Sequence, residues 1–166
     1  MAKRSENTAI INFPPAKVLE AYTSADYWAY NVANFSTEPG EVNQFNQTDS
    51  GVEVVLYEIL PQELMPEAAR AMISQALKVK RTITWGPFVD GVAKGTYIAD
   101  VKGTPVEFKG DITLSGEDTA TLTYENVVTV DIPFMGPAIE PKVAEALVDF
   151  FNNEAALTEK WISTQG

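Results

Sequence analysis

The residues best suited to chemistry are two charged side chains on the apolar side of predicted strands. Glu58 shares its side of one strand with Val54, and Arg81 shares its side of the next with Ile83. Side chains alternate between the two faces of a strand, so both charges are expected to point inward. A buried charge must be paired or must reach a polar partner. The pattern predicts a Glu58–Arg81 ion pair or a polar anchor for a ligand, unless a bulge turns Arg81 to solvent.

Other polar side chains at inward positions add little chemistry. The alternating positions that carry the apolar residues of these strands also include Tyr97, Tyr124 and Asn126. Tyrosines that point inward usually belong to the core, however, and their hydroxyl group is hydrogen-bonded there. Glu58 would serve as a general base if burial raised its pKa. A lone carboxylate is not a catalytic constellation, however. Glu154 flanks the apolar stripe of the last helix and is predicted to be solvated.

Composition excludes several classes of function. The 166-residue chain has no cysteine and no histidine, and its formal net charge is −11. It therefore lacks thiol nucleophiles and the usual general base and metal ligand, so neither a metal nor a cofactor is expected. The acidic balance disfavours nucleic acid and anionic membranes. With no signal peptide and no long apolar run, we expect a cytoplasmic protein without membrane insertion. We also expect it to be a monomer or a weak dimer.

The elements that position these residues are mostly strands. Alternating hydrophobicity and turn sequences predict an antiparallel sheet, with short loops joining the last four strands. The predicted strands cover residues 4–13, 41–47, 52–60, 77–85, 92–101, 106–114 and 119–130.

Helical patterns interrupt and close this series. Two short helices follow the first strand, one opened by Pro14 and Pro15 and the next capped by Ser24. Residues 61–76 are predicted to form a helical insert that could cover a pocket mouth. A long helix with one buried face closes the chain after the last predicted strand. Its regular part is expected to start near Glu140, because Pro141 would be costly deep inside a helix.

Small residues on one strand predict space under the last helix. Ala93, Gly95 and Ala99 form an unusually small inner face opposite Leu147 and Phe151. Such a face leaves a volume that is either filled by larger neighbours or kept as a pocket. The candidate ligand-binding residues are Glu58, Arg81, Trp85, Tyr97, Phe108, Tyr124, Asn126, Leu147 and Phe151.

In its order of elements the chain resembles the helix-grip fold of the START-like (SRPBCC) superfamily, which includes birch-pollen-allergen relatives and polyketide cyclases. Within it, the chain is similar to an actinobacterial family of unknown function. The resemblance spans residues 1–166 as a single START-like domain. It implies an α+β fold in which a curved seven-stranded antiparallel sheet wraps around a long C-terminal helix, with two short helices after strand 1. The segments that carry it are 13–16, 60–61, 80–85, 132–136, 139–140 and 154–161.

The sequence is compatible with three functions. The first is non-catalytic binding of a small hydrophobic or amphipathic ligand, such as a lipid, polyketide or aromatic compound, in a cavity between the sheet and the C-terminal helix. The second is a cyclase- or hydratase-type enzyme that uses an inward Glu or Tyr. The third is a protein-interaction module with a filled core. Fold alone does not choose among them.

Overall fold

A computed structural model describes residues 2–35, 39–60, 77–102, 104–134 and 136–165. The predicted helical insert at 61–76 lies outside these residues. The described elements, in chain order, are β1 (Ala2–Ile11), α1 (Pro15–Tyr22), α2 (Ala25–Asn34), β2 (Glu41–Thr48), β3 (Gly51–Leu60), β4 (Leu77–Trp85), β5 (Ala93–Val101), β6 (Val106–Gly116), β7 (Ala120–Val130) and α3 (Gly136–Gln165).

The strands form one antiparallel sheet of seven strands in the order β1-β7-β6-β5-β4-β3-β2. Strands β2 to β7 are neighbours in both sequence and space, which confirms the predicted meander. Strand β1 joins at the β7 edge, where Asn7 lies opposite Tyr124. Between β3 and β4, Leu56 lies opposite Arg81 and Glu58 lies opposite Val79. Glu58 and Arg81 are therefore diagonal neighbours, within reach of long side chains.

The two short helices begin as their sequences predict. Helix α1 starts at Pro15, whose missing N–H costs nothing in the first turn. Helix α2 is capped by Ser24, whose side-chain oxygen accepts a hydrogen bond from the Tyr27 N–H at 3.4 Å. The indole of Trp28 donates to the Tyr22 carbonyl at 2.8 Å and so ties the two helices together.

The long helix begins earlier than predicted. Helix α3 starts at Gly136 rather than near Glu140, and Pro141 lies inside it. Pro141 is the sixth residue of this helix, so it removes one intrahelical hydrogen bond, the one that its N–H would donate to the Pro137 carbonyl. Buried Glu140 also anchors this turn, since its Oε2 accepts from the Val130 N–H at 3.0 Å.

The core lies between the inner face of the sheet and the three described helices. The backbone of α3 lies closest to β1 and β7, whereas α1 contacts β6 and β7, and α2 contacts β2 and β3. Burial alternates along β5 and β7 as the sequence predicts. None of the helices in the described ranges is both long and apolar enough to cross a membrane.

Candidate functional site

Arg81 and Glu58 form a buried, two-point ion pair. Arg81 is 1% exposed and Glu58 is 3% exposed. Arg81 Nε donates to Glu58 Oε1 at 2.8 Å, and its Nη2 donates to Glu58 Oε2 at 3.2 Å. The ion pair confirms the predicted pairing and rules out a bulge that would turn Arg81 outward. The planar guanidinium fork suits this bidentate geometry.

Glu154 is a second carboxylate on the same arginine, and its predicted solvation is wrong. It is 5% exposed and reaches Arg81 from α3. Arg81 Nη1 donates to Glu154 Oε1 at 3.0 Å, and Nη2 donates to Glu154 Oε2. The sequence did carry a signal, because Glu154 stands three residues after Phe151 and four before Thr158 along the buried stripe. We call Glu58, Arg81 and Glu154 the charge cluster.

Helix α2 completes the polar network around Glu154. Asn31 Nδ2 donates to Glu154 Oε2 at 3.2 Å and to the Tyr27 hydroxyl at 3.1 Å. Thr158 donates to the Glu154 carbonyl at 2.8 Å, so its oxygen is left to accept from Tyr27 at 2.6 Å. Asn31 is fully buried, and its Oδ1 has no partner among the described residues. The network therefore contains one hydrogen-bond acceptor, Asn31 Oδ1, that no described residue uses.

The charge cluster carries one cation against two carboxylates, and the pKa values reflect this imbalance. Burial raises the pKa of Glu58 to about 7, and repulsion from Glu154 adds to the rise, while Arg81 opposes it. Burial would lower the pKa of Arg81, but Glu154 and Glu58 outweigh it and raise that pKa. The pKa of Tyr124 is raised by burial and then by nearby Glu154. The Tyr27 pKa is raised in the same way.

Aromatic rings surround the charge cluster on the sheet and on α3. The Arg81 guanidinium carbon lies 5.1 Å from the centre of the Phe150 ring. Phe151 stacks on Tyr124 with ring centres 3.9 Å apart and meets Tyr97 edge-on at 5.3 Å. All these residues are buried. The result is an apolar shell with one polar centre.

The nine candidate residues are all buried, but they do not form one site. Most of the aromatic candidates join the shell, and Phe108 reaches it through Tyr97 and Phe150, with ring centres 6.2 and 6.3 Å apart. Trp85 instead stacks on Tyr22, 5.1 Å away. Asn126 accepts from the Tyr97 hydroxyl at 2.5 Å and donates to Asn7 at 2.7 Å. Leu147 lies on the buried stripe of α3. The sequence did not identify the contributions of Tyr27, Asn31, Phe150, Glu154 and Thr158.

Large side chains cover the small residues at two points of the inner face. A Cβ atom added at Gly95 would lie 2.8 Å from Trp85 Cδ2. A Cβ atom added at Gly110 would lie 3.0 Å from Tyr97 Cε1. At Gly95 the space predicted from small residues is therefore filled by the ring of Trp85, and Tyr97 covers Gly110 on the neighbouring strand in the same way. Ala99, fully buried between Arg81 and Phe108 in register, remains a small residue beside the charge cluster.

Metal binding has no support from the described part of the chain. No group of three or more Asp and Glu side chains there is arranged to hold a metal ion. The two carboxylates of the charge cluster are both engaged by Arg81. The charge cluster itself offers ion pairing and hydrogen bonding, and the raised pKa of Glu58 suits proton exchange near neutral pH.

Solved structures share this fold at low sequence identity. Ara h 8.0201 matches with a TM-score of 0.59 and 10% identity, covering 99% of both chains. Zhui aromatase/cyclase from Streptomyces sp. R1128 matches with a TM-score of 0.54 and 10% identity, covering 99% of this chain and 93% of the other. Norcoclaurine synthase from Thalictrum flavum, in complex with dopamine and hydroxybenzaldehyde, matches with a TM-score of 0.52 and 12% identity, covering 100% and 89%. These likenesses confirm the helix-grip fold.

Sequence comparison identifies relatives that match over most of both chains. An uncharacterised protein of Mycobacterium tuberculosis is 24% identical over 155 residues, which cover 89% of each chain. A family model described as "Protein of unknown function (DUF2505)" matches residues 6–162. That match takes in the charge cluster and all or most of each described element, including nearly all of α3. The chain therefore belongs to the DUF2505 family, and its architecture is that of the helix-grip proteins.

Proposed function

We propose that the protein binds a small hydrophobic or amphipathic molecule between the sheet and α3, with the charge cluster at the polar end of the site. The observation that carries this proposal is a buried ionic network inside an aromatic shell. Binding sites for small molecules are mostly apolar and use a few polar groups to orient the ligand. Proteins of the same fold include an aromatase/cyclase. They also include a norcoclaurine synthase solved in complex with dopamine and hydroxybenzaldehyde.

Ala99 marks where the ligand is expected to lie. Its methyl group is buried between Arg81 and Phe108 in the paired strands, next to both the charged and the aromatic parts of the core. A small ligand at this position would contact the polar centre and the rings together. A larger side chain at residue 99 would occupy the same volume.

The Ala99→Phe substitution tests the binding site. We expect the wild type to bind Nile red with a fluorescence increase, and Ala99→Phe to weaken this binding by about tenfold or more, a loss of at least ~1.4 kcal/mol of binding free energy. Thermal unfolding of the variant should remain cooperative. Ile98→Phe is the matched control, because Ile98 is the adjacent residue on the exposed face of β5, and it should bind the probe normally.

Two outcomes would count against binding at this position. The first is a wild type that takes up no probe, together with an Ala99→Phe variant that loses stability, as expected for overpacking of a filled core. This result would favour a protein-interaction module. The second is equal probe binding by all three proteins. If Ala99→Phe does not fold, Ala99→Leu provides the same comparison with less added volume.

A second candidate function is proton-transfer catalysis of the cyclase or hydratase type. One observation favours it: the pKa of Glu58 is raised to about 7, which suits a general acid or base near neutral pH. Glu58 is held by Arg81 through both carboxylate oxygens, however. A catalytic role would therefore require the ligand to displace part of this ion pair.

A further inference from the structure

The charge cluster has an excess of negative charge. Glu58 and Glu154 share a single guanidinium, and all three side chains are at least 94% buried. An ionised carboxylate that lacks a full counter-charge is costly in an apolar interior. The cost is relieved when the carboxylate binds a proton or when a second cation approaches. Among the residues that the structure describes, the cluster thus has one positive charge for two carboxylates.

The hydrogen-bonding capacity of the cluster also favours a cationic ligand over an anionic one. A guanidinium has five N–H donors, and Arg81 directs four of them at the two carboxylates. Little donor capacity is left for the carboxylate or phosphate of a ligand. Acceptors, by contrast, are in surplus, because Asn31 Oδ1 has no partner among the described residues. Its orientation is set by the amide nitrogen, which faces Glu154 and Tyr27.

The surrounding rings also suit a cation. The faces of aromatic rings attract positive charge, most strongly where water is excluded. Arg81 already lies over Phe150 in this way, and Tyr124 and Phe151 form a stacked pair within the same shell. A ligand with an aromatic or aliphatic body and a positive end would match both the shell and the cluster.

We propose that the charge cluster selects ligands that carry a protonated amine and discriminates against carboxylates. This inference rests on the proposed binding function and names the chemical class of its ligand. The ammonium group would supply a second positive charge beside Glu58 and Glu154, and its N–H groups would donate to carboxylate oxygens and to Asn31 Oδ1. The apolar part of the ligand would lie in the aromatic shell beside Ala99.

Displacement of Nile red by three matched compounds tests this selectivity. Phenethylamine, phenethyl alcohol and phenylacetate have similar size and differ in the charge of the polar end. At about pH 8, where Glu58 is mostly ionised, we expect the amine to bind about tenfold more tightly than the alcohol and the acid to bind most weakly. With each affinity compared within the same variant, after its own Nile red affinity has been measured, Glu58→Gln should bring the amine within about twofold of the alcohol. Glu53→Gln, on the exposed face of the same strand, should keep the preference.

The outcomes separate this inference from the proposed function. If Nile red binds but the three compounds compete equally, or if Glu58→Gln leaves the order of affinities unchanged, amine selection is wrong while the binding function stands. If phenylacetate binds most tightly, the cluster anchors anions. If neither the probe nor any of the compounds binds, both proposals fail. Should Glu58→Gln not fold, Glu58→Asp, which keeps the charge but shortens the side chain, should weaken amine binding more than alcohol binding.

Discussion

Replacing Arg81 with Met should cause the largest loss of stability of any substitution considered for this protein. The substitution removes the single cation from the charge cluster and leaves Glu58 and Glu154 facing each other in an apolar core. Removing one partner of a buried ion pair typically costs about 3–5 kcal/mol, because the remaining charge is not compensated. Urea unfolding should therefore show a strongly lowered midpoint for Arg81→Met. Lys94→Met, on the exposed face of β5, is the control and should change stability by less than about 0.5 kcal/mol.

A double-mutant cycle shows whether the cluster acts as a unit. Glu154→Gln alone and Arg81→Met alone should each destabilise the fold. The double variant should cost less than the sum of the two. Glu154→Gln removes one of the two carboxylates that Arg81→Met leaves without a cation, whereas in the wild-type background it removes a hydrogen-bond partner of Arg81. Additive effects would mean that Arg81 and Glu154 do not interact energetically, and the description of the charge cluster would then be wrong.

Glu58→Gln should abolish most of the pH dependence of stability around neutrality. Burial raises the pKa of Glu58 from 4.5 to about 7, so the folded protein holds this proton more tightly than the unfolded chain. The stabilisation is fully present below the unfolded pKa and is lost as pH rises through about 7. Each pKa unit corresponds to about 1.4 kcal/mol, so the wild type should lose on the order of 2–3 kcal/mol between about pH 5 and pH 8. Glutamine resembles the protonated form and cannot ionise.

The composition makes this measurement unusually direct. The chain contains no histidine, the side chain whose ordinary pKa lies closest to neutrality. Urea midpoints measured across this pH range should fall for the wild type and for Glu53→Gln and should stay nearly level for Glu58→Gln. A fall of equal size in all three proteins would assign the titration to another group.

The sequence predicts the fold well because its signals are local. Alternation places Glu58 and Arg81 on the inner face, and the register of β3 and β4 brings them together as expected. Ser24 and Pro15 mark the starts of their helices for reasons that act within a few residues. Pro141 misled the prediction of where α3 begins, because one missing hydrogen bond near a helix end costs less than one in its middle.

The site is harder to predict because its partners come from distant parts of the chain. Glu154 is 73 residues from Arg81 and 123 residues from Asn31. On the helix alone, a single carboxylate in an apolar stripe resembles a solvated edge residue. The small inner face misleads in a related way, since the sequence shows that Gly95 has no side chain but not that Trp85 covers it.

Native mass spectrometry of the protein purified from its own cells tests the central claim most directly. The claim is that one small molecule occupies the space beside Ala99 and the charge cluster. We expect a population heavier than the bare chain by the mass of one small molecule, and we expect this population to be absent from Ala99→Phe and present in Ile98→Phe. A spectrum that contains only the bare chain, both as purified and after incubation with Nile red or phenethylamine, would contradict the account and would favour a domain whose core is filled by its own side chains.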